Sequence, residues 1–161
     1  RYERRVAGRI RRSFRRSTLL SGINNALSAG AAAGAPLGDR ILCVDDDPEV
    51  GQFIIRCLEA ESYPVDYVDS GEAALEKLAD GAYWLVLLDI FMPGMDGWET
   101  CRWIKSNPKL AGIKVYMVTA KPVDSQLSDL RDAEADGCLQ KPFRGDDLLS
   151  VIRAFDAQRR K

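Results

Sequence analysis

Short apolar runs alternate with longer amphipathic stretches along residues 39–161. The short runs predict β-strands, and the stretches between them, where apolar residues recur every three or four positions, predict α-helices. We predict strands at 41–44, 65–68, 84–88, 113–118 and 138–140, and helices starting at residue 48 and at 70–78, 98–104, 125–133 and 146–155. The run 84–88 is apolar throughout, which indicates a strand covered on both faces. The alternation predicts an α/β fold, in which helices cover both faces of a parallel sheet with right-handed crossovers.

Local sequence signals mark where the first two helices begin and end. Asp47 stands directly before Pro48, so an N-cap residue is followed by proline at the first helical position. The apolar residues within 50–58 fall on one face, which is typical of a helix that packs against a core. Ser70 is the predicted N-cap of the second helix, which ends near Gly81.

Charge divides the chain into two regions. Residues 1–40 contain nine arginines against Glu3 and Asp39, a net charge of +7, whereas residues 41–161 carry a net charge of −8. Small residues fill most of positions 29–38, which is typical of a flexible linker. We therefore predict a basic helical arm with an Ala/Gly linker over 1–38 and a globular domain over 39–161.

The basic arm has three interpretations. Tyr2, Val6, Ile10 and Phe14 stand at every fourth position, so a helix there would carry an apolar stripe among arginines. The arm could be a solvated helix or the continuation of an upstream domain. It could also contact an anionic membrane or nucleic acid, or act as a targeting peptide. Because the chain begins with Arg1 and not with Met, we expect a processed or truncated product.

The composition excludes several kinds of chemistry. The 161 residues include no histidine, which rules out Ser-His-Asp and Cys-His catalysis and histidine metal ligands in this sequence. The four cysteines form no CxxC pair, so we expect reduced core residues of a cytoplasmic protein. No apolar run is long enough for a membrane-spanning helix. The chemistry that remains belongs to carboxylates, hydroxyls, lysine and a hard cation.

Polar side chains that could carry chemistry follow the first, third, fourth and fifth predicted strands. The carboxyl ends of parallel strands meet at one edge of the sheet, where ligand sites of open α/β sheets lie. The residues expected at this edge are Asp45, Asp46, Asp47, Asp89, Thr119 and Lys141. Carboxylates this close need a counter-ion, and Mg2+ prefers such oxygen ligands. A cation, an ammonium group and a hydroxyl around one carboxylate also suit phosphoryl transfer to that carboxylate.

Each of these residues taken alone has an ordinary structural explanation. Asp47 is expected to be a helix cap only, Thr119 a strand-end residue and Lys141 a surface lysine. The adjacent acids Asp45 and Asp46 are harder to explain without a cation, because a buried strand seldom ends in two neighbouring carboxylates. The functional prediction therefore depends on the whole set.

Four sequence motifs resemble those of a known family. They are Val44-Asp45-Asp46-Asp47-Pro48, Leu88-Asp89-Ile90-Phe91-Met92-Pro93-Gly94-Met95-Asp96-Gly97, Val118-Thr119-Ala120 and Lys141-Pro142-Phe143. In this order and spacing they resemble the receiver domain of two-component response regulators, over about residues 39–158. The resemblance implies a flavodoxin-like, doubly wound, five-stranded parallel sheet with the strand order 2-1-3-4-5.

The resemblance implies a phosphoryl acceptor and a metal site. Asp89 would accept a phosphoryl group from a phosphohistidine on a histidine kinase or a histidine phosphotransfer protein. Asp45 and Asp46 would hold Mg2+ together with Asp89, and the backbone carbonyl of Phe91 would add a ligand. Because this sequence has no histidine, the donor must lie on another chain or on a part not included in it.

The resemblance also implies a switch. Lys141 would pair with a phosphoryl oxygen, and the Lys141–Pro142 peptide bond would be cis. Thr119 would hydrogen-bond the acyl phosphate and draw the following loop and the fourth helix toward a second state. In switching receivers an aromatic residue or histidine usually stands three positions before the lysine. Here that position is Cys138, which places the usual coupling in question.

Two further residues distinguish this sequence near the expected site. Phe91, two positions after Asp89, is bulky and apolar and could shield an acyl phosphate from water, so we predict slow self-dephosphorylation. Lys121, two positions after Thr119, adds a second cation whose effect the sequence does not define.

The leading functional prediction is a phosphorylation-controlled switch whose output is protein binding and which is not a conventional enzyme. One alternative is a haloacid-dehalogenase-like phosphatase, whose nucleophile would be Asp45. The other is a docking receiver that never switches. We expect no DNA-binding or enzymatic effector in the residues after 158, so the output would pass through the receiver surface, the arm or further sequence to a target that the sequence does not identify. A homodimer is a further expected partner arrangement.

Overall fold

A computed structural model of the chain describes residues 21–22 and 38–161. From residue 38 onward the described part contains five strands, five α-helices and one 3-10 helix. The strands are β1 (Arg40–Val44), β2 (Val65–Val68), β3 (Tyr83–Asp89), β4 (Lys114–Thr119) and β5 (Gly137–Gln140). The helices are α1 (Pro48–Ala60), α2 (Gly71–Leu78), α3 (Gly97–Ser106), α4 (Leu127–Asp132) and α5 (Gly145–Arg159), and the 3-10 helix Val123–Gln126 precedes α4.

The strands form one parallel sheet in the order β2-β1-β3-β4-β5. The predicted flavodoxin-like, doubly wound sheet and its strand order are therefore confirmed. The central strand β3 is buried along its whole length, as its continuous apolar sequence predicted. The strand order reverses between β1 and β3, and this switch point is where a ligand crevice is expected.

Each face of the sheet carries its own hydrophobic core, because successive side chains of a strand point to opposite faces. On one face, residues such as Leu42, Val86 and Met117 pack with α2 and α3. On the other face, residues such as Cys43 and Leu87 pack with α1 and α5. The two helical layers fix the sheet between them, so the carboxyl ends of the strands form a rigid edge.

The local signals that predicted the helix starts are present in the structure. Asp47 caps α1, and its Oδ1 accepts a hydrogen bond of 2.9 Å from the backbone N–H of Glu49. Pro48 occupies the first helical position. Ser70 caps α2, and its hydroxyl accepts from the backbone N–H of Ala73. These contacts satisfy backbone donors that a helix start leaves unpaired.

The region after β4 differs from the sequence prediction. Instead of one helix at 125–133, the 3-10 helix Val123–Gln126 leads into the six-residue α4. None of the residues of α4 is buried, and Leu127 leaves 45% of its surface exposed. The segment lacks the apolar stripe that holds a longer helix against a core, so little packing supports a regular helix here.

The predicted arm and most of its linker, over 1–38, lie outside the described residues except for 21–22 and Gly38. The membrane, nucleic-acid and targeting interpretations depend on that arm and stay predictions. Among the residues that the structure describes, no helix has both the length and the apolar character needed to cross a bilayer.

Candidate phosphoryl-acceptor site

Two of the predicted acids lie at the carboxyl end of β1. Asp45 is 1% exposed, and its Oδ1 accepts a hydrogen bond of 2.9 Å from the backbone N–H of Asp47. The hydroxyl of Tyr67 on β2 donates to the backbone carbonyl of Asp45 over 2.7 Å. Asp46, the next residue, is exposed. One carboxylate is thus held rigidly in the sheet edge, while its neighbour faces solvent.

Asp89 and Lys141 meet between the ends of β3 and β5. The Lys141 ammonium lies 2.8 Å from Asp45 Oδ2 and 3.4 Å from Asp89 Oδ1. Asp89 is 5% exposed. The Lys141–Pro142 peptide bond is cis, as predicted, and the backbone N–H of Lys141 donates to the carbonyl of Thr119. One ammonium therefore bridges two carboxylates from different strands.

The loop after β3 needs glycine at two positions. Gly94 has a φ of +80°, a left-handed conformation that L side chains rarely adopt. At Gly97 a side chain would collide with the backbone carbonyl of Asp89, so only glycine lets α3 begin this close to the strand end. Glu72 on α2 supports the same loop, because its carboxylate accepts from the backbone N–H of Met95 over 3.0 Å.

The electrostatics of the site centre on Asp89. Burial and the negative charge of Asp45 raise the pKa of Asp89 from 3.8 to about 6, although Lys141 opposes the rise. Burial alone would lower the pKa of Lys141, but its hydrogen bond to Asp45 and the charge of Asp89 raise it above 10.5. The lysine is therefore cationic at neutral pH, and one ammonium group does not fully compensate the carboxylates around it.

The acids provide a donor set that fits a hard divalent cation. Asp45, Asp46 and Asp89 each offer one carboxylate oxygen, and these oxygens lie within 4.8 Å of one another. Magnesium prefers a few carboxylates together with water, and the exposed side of Asp46 leaves room for solvent ligands. The raised pKa of Asp89 indicates negative charge that a bound cation would neutralise.

Thr119 is fully buried at the end of β4. Its hydroxyl oxygen accepts from the backbone N–H of Lys121 over 3.1 Å and from the side-chain amide of Gln126 over 3.2 Å. Because β4 lies beside β3, the hydroxyl belongs to the same edge of the sheet as Asp89. Thr119 was predicted at this edge from the sequence, whereas Gln126 had no predicted role.

Phe91 and Lys121 form the outer rim of the site. Phe91 is 49% exposed, and the Lys121 ammonium lies 4.7 Å from the centre of its ring. Cations are attracted to the face of an aromatic ring at this distance. The second cation that the sequence analysis noted is thus joined to the aromatic residue that follows Asp89.

Cys138 is partly buried on β5 and packs against the core on the α2–α3 face of the sheet. Burial raises the pKa of its thiol to about 11, so the side chain is a small neutral group at physiological pH. It cannot reproduce the swing of an aromatic ring between a buried and an exposed position.

An apolar groove adjoins the ammonium side of the site. It has a volume of about 510 Å³ and is lined by the first part of α1 with its N-cap, by the residue after β4 and by the segment after β5: Asp47, Glu49, Val50, Phe53, Ala120, Lys141, Pro142 and Phe143. Phe53 is 40% exposed, and its ring centre lies 5.9 Å from that of Phe143. Exposed aromatic surface of this kind is suited to contact with another protein.

Comparison with known proteins decides the family. The family model described as the response regulator receiver domain matches residues 41–153, which is more than half of the chain. The chain belongs to the response regulator receiver family.

Two relatives illustrate how far the likeness of this receiver domain extends. The transcriptional regulatory protein TcrA of Mycobacterium tuberculosis is 36% identical over 127 residues, which cover 78% of this chain and 49% of TcrA. The response regulator MprA of Mycobacterium leprae is 37% identical over 116 residues, which cover 72% of this chain and 50% of MprA. The chain spans about half the length of the curated relatives it matches.

Solved receiver structures share the fold. A CheY-like receiver domain protein from Methanospirillum hungatei is 30% identical with a TM-score of 0.70, and the match covers 78% of this chain and 98% of that one. The response regulator TrrA of Thermotoga maritima, solved in complex with Mg2+ and beryllofluoride, is 36% identical with a TM-score of 0.64. That match covers 72% of this chain and 97% of TrrA.

These findings support a phosphoacceptor receiver that acts as a switch, and they give no support to the two alternatives. The structure brings Asp45, Asp46, Asp89 and Lys141 together, with Thr119 at the same sheet edge.

Three residues that support the receiver site were not predicted from the sequence. Tyr67 holds the end of β1, Glu72 holds the loop after β3, and Gln126 holds Thr119. Tyr67 lies in a half-buried strand and Glu72 in the first turn of a helix, so each has an ordinary local explanation. Gln126 lies in a polar stretch without periodicity, which carries no signal of burial.

Proposed function

We propose that Asp89 is the residue of this receiver domain that accepts the phosphoryl group. The observation that carries the proposal is a carboxylate, 5% exposed, with an ammonium 3.4 Å away and two further carboxylates that can share a cation with it. A nucleophilic oxygen needs this surrounding positive charge, because the attacking carboxylate and the phosphoryl group are both anionic.

The proposed donor is a phosphohistidine on a histidine kinase or a histidine phosphotransfer protein in the cytoplasm. An oxygen of Asp89 attacks phosphorus, and the phosphorus–nitrogen bond breaks in line with the new oxygen–phosphorus bond. The electron pair of the broken bond stays on the imidazole nitrogen, and the product is an acyl phosphate on Asp89. Lys141 lies close enough to Asp89 to pair with a phosphoryl oxygen.

Asp45, Asp46 and Asp89 would hold Mg2+, and the backbone carbonyl of Phe91 is the proposed further ligand. When bound, the cation would neutralise charge on the phosphoryl oxygens. Thr119 is proposed to donate its hydroxyl proton to another of those oxygens. The same groups would later assist a water molecule to hydrolyse the acyl phosphate, so the domain would contribute to its own phosphorylation and dephosphorylation.

The groove beside Lys141 is the proposed contact surface for the donor protein. A partner that brings an imidazole to Asp89 must cover the surface around Lys141, which also lines the groove. The exposed ring of Phe53 would be buried in that complex. Output is proposed to occur through phosphorylation-dependent binding of a target protein.

The test is phosphorylation by a small-molecule donor. The folded chain is incubated with acetyl phosphate and Mg2+, and its intact mass and its peptides are measured. We expect one added phosphoryl group on Asp89 and none in Asp89→Asn. Asp69→Asn is the matched control, because Asp69 is an exposed aspartate directly after β2 and lies outside the carboxylate cluster. A wild-type chain that gains no phosphate, or an Asp89→Asn variant that gains as much, would refute the proposal.

A further inference from the structure

Gln126 is a buried polar residue in an otherwise accessible segment. It is 4% exposed, whereas every other residue of 121–129 is exposed or intermediate. It ends the 3-10 helix Val123–Gln126 and directly precedes α4. Burying an amide costs free energy that an apolar side chain of the same size would not require. A purely structural anchor at this position would therefore be expected to be apolar.

The amide makes one specific contact. Its Nε2 donates to the hydroxyl oxygen of Thr119 over 3.2 Å, and the backbone N–H of Lys121 donates to the same oxygen over 3.1 Å. The two donors occupy both acceptor positions of that hydroxyl, so its own proton is left for another acceptor. Gln126 thus holds Thr119 in a state in which the hydroxyl can still donate.

The other end of the amide is unpaired. Gln126 Oε1 is buried, and it has no hydrogen-bond partner among the residues that the structure describes. If Thr119 turned away, Gln126 would lose its contact with the hydroxyl as well, and both ends of a buried amide would be unsatisfied. That arrangement is costly, so a movement of Thr119 is expected to displace Gln126 and the helix that follows it.

We propose that Gln126 is the positioning residue that couples Thr119 to α4. The inference rests on the proposed function, in which Thr119 moves toward a phosphoryl oxygen on Asp89. Gln126 contacts the Thr119 hydroxyl with its side chain and directly precedes α4 in the chain. This side-chain hydrogen bond therefore connects the site to that helix.

The experiment uses Mg2+ with beryllofluoride as the probe and hydrogen exchange of the full chain as the readout. Gln126→Met replaces the amide with an unbranched apolar side chain of similar length. Its matched control is Gln158→Met, at an exposed position of α5. We expect the wild type to change its exchange both around Asp89 and over residues 123–132. In Gln126→Met we expect the exchange around Asp89 to change as in the wild type, while the change over residues 123–132 is reduced by at least half.

The same variant is expected to bind the probe more tightly. Without the hydrogen bond, Thr119 moves without displacing α4, so half-saturation should need about fivefold less beryllofluoride, the factor that one typical hydrogen bond represents. A third readout needs no probe. Urea unfolding is measured for Thr119→Val, for Gln126→Met and for the double variant. The effect of Gln126→Met on the unfolding equilibrium constant should be about fivefold larger when Thr119 is present than when it is replaced by valine.

The outcomes separate this inference from the proposed function. If Gln126→Met keeps the full exchange response over 123–132, or if the urea cycle is additive, the coupling role is wrong while Asp89 remains the acceptor. If the wild type shows no response to the probe around Asp89, both proposals fail. Gln126→Asn, whose amide is too short to reach Thr119, is the second variant and should reproduce the loss if Gln126→Met does not fold.

Discussion

Replacing Asp89 with asparagine should stabilise the cation-free protein at neutral pH. Burial and the charge of Asp45 raise the pKa of Asp89 from 3.8 to about 6. The folded state therefore holds the Asp89 proton more tightly than the unfolded state does. A rise of this size corresponds to about 3 kcal/mol that the ionised carboxylate costs the folded state. Asparagine has nearly the same shape but no charge, and Lys141 keeps its 2.8 Å ion pair with Asp45.

The sign of the pH dependence follows from proton linkage. Between pH 4 and pH 6 the unfolded chain has already released the Asp89 proton, while the folded chain still holds it. The contribution of Asp89 to the free energy of unfolding therefore falls as pH rises through this window and stays low above it. The advantage of Asp89→Asn should be absent at pH 4 and complete above pH 7.

The assay is urea unfolding of the wild type and of Asp89→Asn, measured with a chelator present at several pH values between 4 and 8. Because asparagine hydrogen-bonds Lys141 less strongly than a carboxylate does, we expect a gain of about 1–3 kcal/mol above pH 7. Asp69→Asn is the control, since Asp69 is exposed, lies outside the carboxylate cluster and should change stability little. The reasoning is refuted if Asp89→Asn is no more stable than the wild type at pH 7.5, or if its gain is the same at pH 4.

Three further predictions concern the rim, the groove and a structural ion pair. Phe91→Asn should shorten the lifetime of the acyl phosphate about tenfold, a loss of about 1.4 kcal/mol from the hydrolysis barrier, measured as the decay of the phosphorylated mass. Phe53→Ala should slow phosphotransfer from a protein donor about tenfold and leave acetyl phosphate labelling unchanged. Asp136→Ala should lower the free energy of unfolding by about 2 kcal/mol, because Asp136 accepts 2.8 Å hydrogen bonds from Lys105 and from a backbone N–H.

Each of these predictions has a further test or an outcome that would contradict it. Phe143→Ala removes the aromatic neighbour of Phe53 in the same groove and should also affect only the protein donor; equal slowing with both donors would contradict the docking role. An unchanged lifetime in Phe91→Asn would mean that the ring does not shield the site. Lys105 holds the pKa of Asp136 below 3.8 against the effect of burial, so the Asp136→Ala loss should be present at pH 7 and shrink as pH falls below 4.

Much of the fold could be predicted because this chain follows simple patterns. The run 84–88 is apolar at every position and lies in a fully buried strand, and Asp47 and Ser70 are followed by the helices that they were predicted to cap. The segment after β4 was predicted less well. Its apolar residues are too sparse to define a helical face, and the one residue buried within 121–132 is a glutamine.

The residues of the candidate site could be predicted as a set, but the side chains that hold them in place could not. Asp45, Asp89 and Lys141 stand at the ends of different strands, and parallel strand ends must share one edge, so their proximity follows from the topology. The contacts of Tyr67 and Gln126 depend on how individual side chains are oriented across the fold. Periodicity describes which face a residue occupies, and it does not describe a partner many residues away.

The ion pair between Asp45 and Lys141 joins residues 96 positions apart, one at the end of the first strand and one at the end of the last. During synthesis, Asp45 and the proposed acceptor Asp89 leave the ribosome well before Lys141, whose ammonium group stabilises their charge. Closing so long a loop requires most of the intervening sheet to have formed. A nascent, truncated or partly folded copy would have its acids but not its ammonium, so competence to receive phosphate would begin only when the whole domain is assembled.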